Sequence, residues 1–198
     1  MKFLVYLALL LISNVLYADI VGSAYVVDGD TIKINSTRVR LNGIDTPESQ
    51  QTCNRNNAIW FCGREATDRL RKLTVGKRIH CKGDEIDRYG RLIADCFADG
   101  VNLNSTMVES GMALAYRKYS LEYVPEENRA RNAKRGLWSG KFVAPWDWRR
   151  GKRLKNDVTK EVESTCCKIC QKGKACGDSC INKLYSCSKP TGCACNAD

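Results

Sequence analysis

VVDGDTIKI (residues 26–34) and VRLNGIDTPES (residues 39–49) decide the fold. Ile32 and Ile34 alternate with Thr31 and Lys33, and Val39 and Leu41 with Arg38 and Arg40, the period-two pattern of strands with one wet face. Working outward, Ala66, Leu70 and Leu73 recur at helical spacing over 63–73, with Gly76 as a stop. Strands return at 78–81 and 92–97, separated by the hairpin GDEIDRYGR. A second helix fits 103–110, with Asn102 as N-cap and Gly111 after its end. A third opens at Pro125, Glu126 and Glu127 and closes through Lys134 and Arg135 on Gly136. This order predicts an α+β, mainly β chain: a five-stranded OB-type barrel with about three helices.

Lys and Arg number 32 against 22 Asp and Glu, and a formal charge of +10 points to a polyanionic partner, nucleic acid or an acidic surface. With 43% hydrophobic and 27% charged residues, collagen-like, wholly disordered and multispanning membrane classes drop out. Residues 1–18, MKFLVYLALLLISNVLYA, put Lys2 before an apolar run to Ile12 and end on small Ala18, as an export signal does. That run is too short for a membrane anchor. The chain is therefore expected to be exported, secreted or periplasmic, with no membrane span after cleavage.

Export changes the meaning of the 12 cysteines, because an oxidising compartment favours disulfides. Cys81 and Cys96 flank the hairpin and can face each other, and Cys53 with Cys62 can close the loop after IDTPES. The other cysteines crowd into 166–198, a tail with too few apolar groups to hold a shape without cross-links. Disulfides are the favoured staples, and zinc at the Cys167/Cys170 spacing is the competing reading. The expected divisions are a signal peptide at 1–18, a main domain at 19–149, a charged linker at 150–165 and the tail. The tail's lysines would add substrate affinity or hold the protein at an anionic cell envelope.

With DRYGR at 87–91 and RGLW at 135–138, the two opening blocks stand in an order and spacing that resemble the staphylococcal nuclease family over roughly residues 21–148. The resemblance implies an OB-type barrel and a calcium-dependent phosphodiesterase acting on DNA and RNA, with no small-molecule cofactor. It also carries a calcium-ligating backbone carbonyl to Thr46, and pairs Arg40 and Arg91 with the family's catalytic arginines. The cysteine-containing loop after IDTPES and the tail depart from the family pattern.

The residues themselves point the same way. Hard divalent cations prefer carboxylate and carbonyl oxygens, which makes Asp30 and Asp45 candidate ligands for Ca2+, with Mg2+ or another divalent ion as alternatives. Taken alone, Asp28-Gly29-Asp30 is also an ordinary turn. Glu48 is the candidate general base for an attacking water, or else a surface charge after Pro47. His80 is the only histidine, so a two-histidine relay is excluded. Arg40 points away from the face of Val39 and Leu41, Arg91 follows the tight Tyr89-Gly90 turn, and planar guanidinium groups suit phosphate oxygens. Arg88, Tyr89, Tyr116 and Tyr119 interleave cations and rings as single-strand binders do. A monomeric endonuclease is the reading; the alternative is a noncatalytic OB-type module that binds nucleic acid or an envelope polymer.

Overall fold

The structure, a computed structural model, describes residues 18–154, 166–189 and 192–197. Residues 1–17 of the expected export signal and most of the expected linker lie outside the described residues, while Ala18, the expected last residue of the signal, opens the first strand. Chain contacts divide into two compact units between Arg153 and Leu154.

The first unit runs β1 (Ala18–Gly22), β2 (Ala24–Val26), β3 (Thr31–Ile34), β4 (Thr37–Leu41), β5 (Ile44–Asp45), β6 (Cys53–Arg55), β7 (Ala58–Trp60) and α1 (Cys62–Thr74). It continues with β8 (Ile79–Ile86), β9 (Leu92–Ala98), β10 (Val101–Asn102), α2 (Leu103–Glu109), β11 (Leu114–Ala115), α3 (Val124–Asn132), a 3-10 turn (Gly136–Ser139) and α4 (Pro145–Arg149). The main sheet is ordered β1-β8-β9-β4-β3-β2, antiparallel except for the parallel β4–β9 pair. β1 and β2 are its two ends, yet only Ser23 separates them in the chain. One bent strand thus joins both edges, and counting it once gives the five strands of an OB-type barrel. The bend is tight: a Cβ on Gly22 would lie 2.8 Å from Ile34 Cγ2. Ile32, Ile34, Val39, Leu41, Ile79 and Ala94 fill the interior, and α1 (Leu70) and α2 (Leu103, Met107) extend that core.

Local details differ from the sequence expectation. β8 runs on past Cys81 to Ile86 through a register shift between Lys82 and Glu85. There a Cβ on Gly83 would meet Ile93 O at 2.0 Å, so glycine is what allows the bulged strand to stay paired. The third helix ends at Asn132 because Lys134 takes a left-handed backbone, and Gly136 serves another purpose. Its backbone presses on Gly111, where Leu137 N–H donates to Gly111 O at 2.9 Å. A fourth helix, α4, follows an apolar cluster in which Leu114, Leu137 and the Cys53–Cys62 pair pack with Trp60, Trp138, Phe142 and Trp146.

Cys81 and Cys96 face each other across β8 and β9 and are bonded, as are Cys53 and Cys62. In the second unit, β12 (Lys168–Cys170) pairs in parallel with β15 (Ala194–Asn196), and β13 (Lys174–Cys176) with β14 (Ser179–Ile181) as a hairpin. Its bridges are Cys166–Cys195, Cys167–Cys193, Cys170–Cys180 and Cys176–Cys187. Cys167 and Cys170 are both bonded elsewhere, so their spacing offers no thiolate pair for zinc. Among the described residues no helix is long and apolar enough to cross a membrane.

Replacing both Cys81 and Cys96 by alanine is expected to lower unfolding free energy by about 2–4 kcal/mol, read from urea denaturation; an unchanged midpoint would show that the ladder alone holds this hairpin.

Candidate active site

The barrel's strand register sets out the site. Thr31 on β3 lies opposite Arg40 on β4, and Val39 and Arg40 run beside Leu92 and Ile93 on β9, which bring Arg91 to the same end. Val39 and Leu41 point into the core, which turns Arg40 outward. Before β3, a Cβ on Gly29 would stand 2.6 Å from Thr46 Oγ1, so only glycine lets the Asp28–Asp30 turn close on Thr46. Asp30 Oδ2 then accepts from both Thr46 N–H and Thr46 Oγ1–H at 3.0 Å. Asp30 Oδ1 accepts from Thr31 Oγ1 at 3.3 Å and pairs with Arg40 Nη1.

The other Arg40 nitrogen, Nη2, donates to Asp45 Oδ1 at 2.9 Å and to Ile44 O at 3.2 Å. One guanidinium thus bridges two buried carboxylates. Removing Arg40 alone would leave two buried charges without this partner, at a cost of about 3–5 kcal/mol. Burial lowers the Arg40 pKa below the usual arginine value, while the Asp45 carboxylate acts to raise it. Asp45 is fixed from behind by the pairing of β5 with β11, Asp45 opposite Leu114. Buried Glu127 of α3 secures β11 by accepting from Ala115 N–H at 3.0 Å.

Glu48 sits on a loop held from two directions. Gln51, fully buried, accepts from Glu48 N–H at 3.2 Å through Oε1 and donates through Nε2 to Val143 O at 2.7 Å. On the other side, a Cβ on Gly63 at the start of α1 would come 1.8 Å from Glu48 O. Arg149, the last residue of α4, then reaches over the loop. Its Nη1 donates to Glu48 Oε1 at 2.7 Å and to Asp45 Oδ1 at 3.1 Å, and its Nη2 donates to Asp45 Oδ2 at 2.7 Å. Desolvation opposes the charge on Arg149, but hydrogen bonds to Asp45 and Glu48 outweigh it and raise its pKa above the ordinary arginine value.

Arg91 is braced by Asp87, which accepts from its Nε at 2.8 Å, and its Nη1 donates to Thr31 Oγ1 at 3.4 Å. Partial burial pulls the Asp87 pKa up, but hydrogen bonds from Arg91 and from Tyr89 N–H bring it below the usual carboxylate value. The Arg88 and Arg91 guanidinium groups lie 4.8 and 5.4 Å from the exposed Tyr89 ring. Tyr116 meets Tyr119 edge-on at 4.8 Å and stacks on Trp146 at 5.6 Å.

Asp30, Arg40, Asp45, Thr46 and Glu48 therefore form one cluster, with Arg91 joined to it through Thr31, while Tyr89 and the Tyr116/Tyr119 pair flank other parts of the same unit. The atoms that Asp30 and Asp45 offer are carboxylate oxygens, the ligand type a hard divalent cation takes, and the two lie within the span of one guanidinium, while Glu48 is joined to Asp45 through Arg149. Sequence reading missed Arg149, Gln51 and Trp146. The signal available was APWDWRR at 144–150, where a proline fit for a helix start is followed by two tryptophans and two arginines.

Comparison with known proteins identifies the family. Residues 38–140 match the family described as staphylococcal nuclease homologue. An uncharacterized endonuclease of Escherichia coli O157:H7 is 40% identical over 147 residues, covering 70% of this chain and 90% of that protein. A micrococcal nuclease of Shigella flexneri is 34% identical over 163 residues, covering 73% of this chain and 88% of its own. A staphylococcal-like nuclease of Arabidopsis thaliana is 33% identical over 147 residues, covering 71% of this chain and 43% of its own. The fold and these matches define a nuclease of the OB-barrel class. The chain belongs to the staphylococcal nuclease family.

Gly63→Ala is expected to push the Glu48 loop outward, with cleavage of nucleic acid falling about 10²-fold and stability by about 1–3 kcal/mol. Turnover at the parental rate would show that the loop position is immaterial.

Proposed function

We propose that the protein is an exported, calcium-dependent endonuclease that hydrolyses phosphodiester bonds of DNA and RNA. The observation that carries this reading is a run of three carboxylates at one end of the barrel joined by two guanidinium groups, Arg40 between Asp30 and Asp45 and Arg149 between Asp45 and Glu48, with Arg91 reached through Thr31. In it, Asp30, Asp45 and the backbone carbonyl of Thr46 hold Ca2+. The bound ion would supply positive charge against a phosphate oxygen at the point of attack. Glu48 accepts a proton from, or orients, the water whose oxygen forms the new bond to phosphorus as the bond to the leaving oxygen breaks. Arg40 is the cross-strand partner of Thr31 and Arg91 Nη1 donates to Thr31 Oγ1, so both guanidinium groups adjoin one residue, and their planar forks match the equatorial oxygens of a phosphate. Arg88, Tyr89, Tyr116 and Tyr119 grip the strand by charge and stacking.

Export is supported by the twelve cysteines, all paired, and by the signal-like residues 1–18 ahead of a nuclease domain at 19–149. The linker at 150–165 and the tail at 166–198 complete the reading, in which the enzyme is a monomer and the tail's lysines attract nucleic acid or an anionic envelope.

Incubating the purified, oxidised protein with plasmid DNA and with RNA in calcium, magnesium or chelator tests the whole reading. Cleavage of both substrates with calcium, and none with chelator, is expected. Retained nucleic-acid binding without cleavage under any ion would leave a noncatalytic module instead. Arg40→Lys keeps the charge but loses the fork, and turnover is expected to fall on the order of 10³-fold while binding in a gel-shift assay persists. Near-normal turnover would remove Arg40 from the reaction.

A further inference from the structure

The chain after Gly140 turns back to the carboxylates through a short, firmly held piece. Phe142, Ala144 and Trp146 pack on the apolar cluster around Leu137, Gln51 holds Val143 O, and Trp146 stacks on Tyr116 at 5.6 Å. Pro145 starts α4 and Arg149 ends it. Of the basic run that follows, Arg150 and Lys152 pair with Asp147 and Arg153 lies over Trp148, so Arg149 alone of the described members reaches the site. Its side chain, 39% exposed, contacts an Asp45 side chain that is 0% exposed. It makes two of the three side-chain hydrogen bonds of Asp45, and the one that the Glu48 carboxylate makes among the described residues.

We propose that Arg149 is a positioning residue that locks Asp45 and Glu48 into one orientation and acts as their standing counter-charge, so that it supports turnover while weakening the hold of those carboxylates on a divalent cation. The inference rests on the reading above, in which Asp45 is a cation ligand and Glu48 handles the water. Its physical basis is the two-sided effect of one group. A planar fork bonded to both oxygens of Asp45 and to Glu48 fixes rotamers that water would leave free. The same positive charge, in hydrogen-bond contact with Asp45 and Glu48, would repel a cation that those carboxylates attract. Removing the charge and the fork together must therefore move affinity and rate in opposite directions, which loss of structure does not do.

The test uses the full, oxidised chain with Arg149→Gln, Arg149→Lys and, as control, Arg150→Gln, whose parent side chain faces Asp147. Calcium affinity is measured by calorimetry without nucleic acid, the rise in Tm on adding calcium is measured in parallel, and kcat and KM are separated on DNA. Arg149→Gln is expected to bind calcium about 10-fold more tightly, to gain more in Tm from calcium than the parent, and to lose about 10²-fold in kcat with KM little changed. Arg149→Lys restores the weaker calcium affinity and only part of kcat, and Arg150→Gln matches the parent. Should the glutamine variant fail to fold, the lysine variant decides by the same readouts, a parental kcat counting against the proposal. Calcium affinity that falls together with kcat, or a glutamine variant unchanged in both, overturns the proposal while leaving the nuclease reading intact. A parent protein that binds no divalent ion and cleaves nothing overturns both.

Discussion

The Arg40 guanidinium between Asp30 and Asp45 is the contact on which the remainder of the first unit turns. Two carboxylates taken out of water repel one another and each loses hydration, so a cation fixed between them is what allows both to stay charged. That cation can be fixed because β4 alternates Val39 and Leu41 inward and Arg40 outward. Gly29 and the β5–β11 pairing bring the carboxylates to it from opposite sides. Barrel closure through the bent first strand, the Glu127 anchor under β11 and the core of Ile32, Ile34 and Leu41 all serve to keep these positions constant.

Around that centre, the structure relies on backbone contacts that no side chain could share. Gly63 lies against the Glu48 carbonyl, Gly83 against Ile93, and Gly111 against Gly136. Each lets two segments distant in sequence approach more closely than a Cβ permits, and two of the three set the path of a chain segment that ends at the site: the Glu48 loop and, through Leu137, the approach to α4. Precision here comes from missing atoms as much as from bonds.

Much of this was legible in the residues. Alternation within 31–34 and 37–41 gave the two strands and the outward face of Arg40, although Thr31, expected on the wet face beside Lys33, is buried, with its hydroxyl bonded to Asp30; the glycine after residue 110 marked the end of α2. The linkage of Asp30 to Asp45 through Arg40 was legible through the family likeness more than through periodicity, since the contacts span loops. Arg149 was not legible, because its partners lie 101 and 104 residues away and its neighbours Arg150, Lys152 and Arg153 are of the same charge. Gln51 was hidden for another reason: a glutamine beside Gln50 and Thr52 looks solvent-facing, and only tertiary packing makes it buried. The end of α3 was misplaced because Lys134 adopts a backbone shape that glycine usually takes.

The Cys53–Cys62 bridge adjoins this machinery. Gln51 O accepts from Gly63 N–H at 3.2 Å, one residue beyond Cys62, so the cross-link fastens the first turn of α1 to the segment that carries Gln51 and Glu48. A freshly made chain whose thiols are still reduced lacks that fastener. Oxidation of this one pair therefore ties the placement of the Glu48 carboxylate to the redox state of the chain's surroundings.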